Sequence, residues 1–122
     1  MGAGLQEGDA FWRWTDEEPE PHLHFIIKRL LNGSYITANF TSVPQGRPYD
    51  ETCVLGPEDE PWLRKRSYVL YKKCRHVSAD TLGIWTRGEL RVLKPDNLAR
   101  ITQGALESSQ TPRWIKQRLR HG

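Results

Sequence analysis

The chain has 122 residues, of which 37% are hydrophobic and 27% charged, with a net charge of +3. That length allows one domain whose core needs no disulfide or metal, and the composition excludes a disordered chain. No apolar run approaches the roughly 18 residues of a membrane helix, and the first residues carry no signal-type apolar segment.

Two isolated cysteines, Cys53 and Cys74, are too few for a disulfide framework or a zinc site. They read as buried thiols in a cytoplasmic protein. Charge is segregated. Acids crowd residues 1–20, where Arg13 is the one base. Residues 64–76 carry Arg64, Lys65, Arg66, Lys72, Lys73 and Arg75 with no acid, and the tail adds Arg113, Lys116, Arg118 and Arg120. Such segregation suits a polyanion or an acidic protein partner, although a solvated face is the commoner reason for a charge run.

In chain order, AFWRW alternates as a strand with Trp12 and Trp14 on one face. TDEEPEP, residues 15–21, is an acidic loop whose prolines exclude regular structure. HLHFIIKR is the second strand. His22 and His24 share one face, while Leu23, Phe25 and Ile27 share the other. Asn32-Gly33 is the signature of a type I′ hairpin turn into the third strand, SYITANFTS. If Leu31 pairs with Ser34 across that turn, Phe25 faces Phe40, Ile27 faces Ala38, and His24 faces Thr41 with Cβ atoms ~5 Å apart.

VPQGRPYDE is a loop, TCVL a short strand and GPEDEP a second loop. SYVLYKKC reads as one strand, and HVSADTLGIW is ambiguous. TRGEL holds a turn. KPDNLARITQGAL reads as a helix with Asp96 as its N-cap, and TPRWIKQRLR as another, capped by Thr111 with Pro112 in its first turn. Trp114, Ile115, Arg118 and Leu119 would line one side of it. The organisation is a barrel domain with a terminal helix over residues 1–110 and a basic amphipathic helix over 111–122: mainly β, with C-terminal helices.

The order of these pieces resembles the MazF/PemK-like family of toxins from bacterial toxin–antitoxin systems. GDAFW resembles the family's opening GD-x-x-W strand, and HLHFII sits where its arginine-proline-led strand lies. SYITANFTS is similar to the strand ending in its leucine-threonine-serine element. SYVLYKKCRHVSADTL resembles its later strand and turn, and LARITQGAL its terminal helix. The resemblance implies an SH3-like small β-barrel, a homodimer, metal-independent endoribonuclease action on single-stranded RNA, and a cognate antitoxin that blocks it. His22 stands where the family carries its catalytic arginine, and Thr41 matches its threonine.

RNA is cleaved when its 2′-hydroxyl attacks the adjacent phosphorus, which requires a base, an acid and charge stabilisation. Imidazoles can serve as either acid or base at neutral pH. The expected catalytic set is therefore His22, His24 and Thr41, with no cofactor and no metal. Arg47, Trp62, Arg64, Lys65 and Arg66 are the expected nucleic-acid contacts, with Trp62 offering a ring for a base to stack on. Arg113, Trp114, Lys116 and Arg118 are the expected partner-binding residues. Two competing readings remain open. The histidines can be polar groups on a wetted sheet face, and the domain can be a non-catalytic nucleic-acid-binding or protein-interaction module.

Overall fold

A computed structural model describes residues 4–13 and 21–121 of the protein. Its strands are β1 Asp9–Arg13, β2 His22–Arg29, β3 Tyr35–Ser42, β4 Val54–Leu55, β5 Ser67–Val69, β6 Arg75–Val77 and β7 Leu90–Val92. The helices are α1 Ala79–Trp85, α2 Pro95–Glu107 and α3 Arg113–His121. The strands form one strongly curled antiparallel sheet in the order β4-β5-β3-β2-β1-β7. β5 pairs with the end of β3 and β6 with its beginning. SYVLYKKC is thus not one strand: a 3-10 turn at Tyr71–Lys73 separates β5 from β6, so that two short strands follow one edge of β3. The ambiguous HVSADTLGIW resolves into the end of β6 and α1, whose N-cap Ser78 accepts the Thr81 N–H. Trp14 and residues 15–20 lie outside the described residues.

The hairpin differs from the expected two-residue turn. Leu30 N–H donates to Ser34 C=O, and Gly33 N–H to Leu30 C=O, giving a three-residue loop of Leu31, Asn32 and Gly33. Gly33 has φ +85°, and no non-glycine residue among those described has positive φ, which rules out a type I′ turn at Asn32. A bulge between Ile26 and Lys28 then shifts β2 once more. Phe25 consequently faces Ala38, and His24 faces Asn39 rather than Thr41. Two one-residue shifts restore the original faces, so the apolar sides still coincide. Phe25 and Phe40 meet diagonally, with ring centroids 4.7 Å apart.

The main core lies between this face and the helices. Leu23, Phe25, Ile36, Ala38 and Phe40 pack with Ile101 and Ala105 of α2 and Ile115 and Leu119 of α3. Each buried leucine, isoleucine or phenylalanine among them contributes ~1.5–3 kcal/mol of transfer free energy. The reverse face is not wet. Phe11, Ile26, Tyr35 and Val77 form a second buried cluster under Leu82 of α1, with Trp85 packed against it.

Both C-terminal helices start differently from the expectation. α2 begins one residue after Lys94, with Pro95 in its first turn, so Asp96 lies inside the helix and is not the cap. The cap comes from a distant loop. The buried carboxylate of Glu60 accepts the backbone N–H of Lys94 and the side-chain Nδ2 of Asn97, each at 2.7 Å, and sets negative charge at the positive end of the helix. Thr111 does not cap α3: its Oγ1 is buried without a hydrogen-bond partner among the described residues. Ile115 and Leu119 turn inward, whereas Trp114 and Arg118 face solvent. At the far end Lys28 Nζ donates to Leu119 C=O at 3.1 Å, placing a cation on the carbonyl end of α3.

A candidate nucleic-acid groove

The first residues of β2 and the last of β3, beside the core residues Leu23 and Phe40, lie at one end of the sheet. There the sheet, together with the segment leading into β5, opens a groove of about 620 Å³. Trp12, His22, Thr41 and Ser42 line its sheet side, and Leu63, Arg64, Lys65 and Ser67 the other. Leu63 is buried in the main core and anchors this segment, which holds the exposed Arg64 and Lys65 at the rim. His22 is half-buried, with Nδ1 3.3 Å from Phe40 C=O, and Thr41 is half-buried beside it. An imidazole, three hydroxyls and two cations thus share one open concavity. Among the described residues, no three His, Cys, Asp or Glu side chains gather as a metal site would need.

His24 lies elsewhere. It is 4% exposed and stacks on Phe11, with centroids 5.8 Å apart and planes at 21°. Burial lowers its pKa from 6.5 to about 3, helped by the charges of Arg13, Arg75 and His22. Its Nδ1 has no hydrogen-bond partner among the described residues. The expected pair of imidazoles across a phosphate is therefore not assembled. Because the reverse face is covered by α1, alternation sends His24 into a core, whereas His22, at the strand end, reaches the groove.

The other expected contacts separate in the same way. Arg66 turns to Glu58, 3.2 Å away on the surface, and does not line the groove. Arg47 is exposed in the loop after β3 and is also absent from the lining. Trp62 packs partly buried against the main core. Among the described residues, the indole that lines the groove is that of Trp12, 48% exposed. Its position in the sequence carried a signal, since it shares a strand face with the core residue Ala10 but stands nearer the strand end. On α3, Arg113, Trp114 and Arg118 are exposed and Lys116 is half-buried, forming a basic surface apart from the groove lining.

Neither cysteine has the setting of a nucleophile. Both are buried and free, and burial pushes the Cys53 thiol up and that of Cys74 to about 12. No helix among the described residues is long and apolar enough to cross a membrane. In comparisons with known proteins, no family model matches the chain and no curated protein matches it.

Proposed function

We propose that the groove binds single-stranded RNA and cleaves it without metal, in an SH3-like barrel of the MazF/PemK toxin kind acting in the cytoplasm. The observation that carries this reading is the meeting of His22, Thr41, Arg64 and Lys65 on one open surface. In the proposed step the 2′-oxygen attacks phosphorus, and its proton passes to the His22 imidazole. The bond from phosphorus to the 5′-oxygen breaks, and water protonates the leaving oxygen. Thr41 donates a hydrogen bond to a non-bridging oxygen, while Arg64 and Lys65 offset the charge of the phosphorane. Trp12 supports an unpaired base by stacking. The basic face of α3 is the proposed seat of an acidic antitoxin.

Cleavage of a labelled single-stranded RNA in the presence of chelator tests the reading. His22→Ala should lower the rate ~100-fold or more while RNA binding persists. His24→Gln should leave it within a few-fold of wild type. An unchanged rate in His22→Ala would remove the catalytic assignment. A second reading, a non-catalytic single-strand binder, is favoured by the burial of His24, which leaves one imidazole where acid–base catalysis often uses two. Under it, wild type binds RNA and leaves it intact.

A further inference from the structure

We propose that Asn32, in the β2–β3 loop, undergoes intramolecular deamidation to aspartate and isoaspartate through attack by the Gly33 nitrogen. The site is independent of what the groove does. Hydrogen bonds within the loop identify the atoms concerned. Ser34 N–H lies 3.0 Å from one atom of the Asn32 amide and can only donate, so that atom is the oxygen, Oδ1. Ser34 Oγ lies 2.5 Å from the same oxygen, which bears no hydrogen, so the hydroxyl proton is directed there as well. His76 Nε2 is 2.7 Å from Ser34 Oγ and must then donate to it. Ser34 is only 8% exposed, so packing holds these donors in place.

Two donors aimed at one carbonyl oxygen stabilise the tetrahedral intermediate of an acyl transfer. The next residue supplies the nucleophile. Gly33 has φ +85°, and nothing beyond its chain neighbours lies within 4 Å of the position a Cβ would take, so no side chain shields its backbone. Its N–H closes the loop onto Leu30 C=O at 3.0 Å, a bond that opens for the attack, and Leu31, 95% exposed, has no packing to lose when it does. Water takes the proton of Gly33 N, and the nitrogen bonds to Asn32 Cγ. Negative charge gathers on Oδ1, where both bonds from Ser34 strengthen, because hydrogen bonds to an ionised acceptor are about twice as strong as neutral ones. The bond from Cγ to Nδ2 then breaks, and ammonia leaves with a proton from water, which reaches the exposed Asn32. Water opens the cyclic imide at either carbonyl, giving aspartate or isoaspartate. The net reaction consumes one water and releases one ammonia. Either product lowers the net charge of +3 by one, and isoaspartate also adds a carbon to the main chain of the loop. Asn39 and Asn97 have no such setting: each is 6% exposed and precedes a bulky residue, Phe40 or Leu98.

The full chain, kept at mildly alkaline pH, provides the test. Tandem mass spectrometry of its peptides follows the mass gain of amide turned to acid at each asparagine over time. Asn32 should convert while Asn39 and Asn97 stay intact. Ser34→Ala removes the hydroxyl donor and should slow the conversion ~10-fold, whereas Ser34→Thr keeps a hydroxyl and should stay within ~3-fold of wild type. Circular dichroism of both variants confirms that the fold is retained. An Asn32 that persists in the wild type, equal conversion at all asparagines, conversion no slower in Ser34→Ala, or Ser34→Thr as slow as Ser34→Ala would each overturn the proposal.

Discussion

His22 and His24 are two residues apart in one strand and have opposite fates. The first reaches a groove; the second is enclosed against Phe11 with its pKa lowered to about 3 by burial and by the nearby charges of Arg13, Arg75 and His22. This has a measurable consequence. Below pH 6.5 the unfolded chain takes up a proton at His24 that the folded chain refuses. Stability is full above that value, declines as pH falls, and levels off near pH 3, where the folded imidazole also protonates. The slope from this residue is at most ~1.4 kcal/mol per pH unit. Urea midpoints at pH 7 and pH 5 should therefore fall with acid in the wild type and much less in His24→Gln. An equal fall in both would mean that this imidazole is hydrated. The comparison stays above the acid range in which Asp50 titrates. Burial raises that carboxyl's pKa, but hydrogen bonds from Ser108 and Thr52 outweigh the rise and lower it overall.

At the scale of elements, α2 is held to the sheet by a close contact. Tyr71 is fully buried, and its hydroxyl donates to Ile101 C=O at 2.7 Å. Gly104 lies one turn further on, and a Cβ there would run into that hydroxyl. Alanine in mid-helix normally stabilises by ~1 kcal/mol relative to glycine. Here Gly104→Ala should instead destabilise by ~1–3 kcal/mol through overpacking. In a Tyr71→Phe background the hydroxyl is gone, and most of that penalty should vanish. A double-mutant cycle in urea measures the coupling, and strict additivity of the two changes would contradict the contact. The hairpin teaches a related lesson. Asn32-Gly33 correctly marked a reversal, but the length of its loop depended on Leu30 closing onto Ser34, and no dipeptide preference encodes the bulge that follows.

Across the whole molecule, charge and curvature act together. The curled sheet leaves an open end, and the segment from Leu63 to Ser67 brings two cations of a basic run to its rim, while Arg66 turns away to Glu58. If Arg64 and Lys65 each neutralise a phosphate, the affinity for single-stranded RNA should fall with salt, and removing either cation should reduce the log–log slope by ~0.7. Arg64→Gln with Lys65→Gln should flatten the slope by ~1.4, whereas Arg66→Gln should leave it nearly unchanged. Fluorescence anisotropy across a salt series separates these outcomes. A slope that depends on Arg66 as strongly as on Arg64 would displace the groove as the binding surface.

The sequence by itself determined which segments alternate, which faces of β2 and β3 are apolar, that both cysteines are buried, and that helices close the chain, because each follows from spacing along a few residues. It placed His22, Thr41, Arg64 and Lys65 among the candidates but could not say that they meet. Only the tertiary structure decided that. It also decided that α1 covers the reverse face and takes His24 out of reach of solvent, and that Glu60, thirty-four residues before Lys94, caps α2. Burial and capping by distant residues depend on what packs across space, and that information is spread over the whole chain rather than carried by any local pattern.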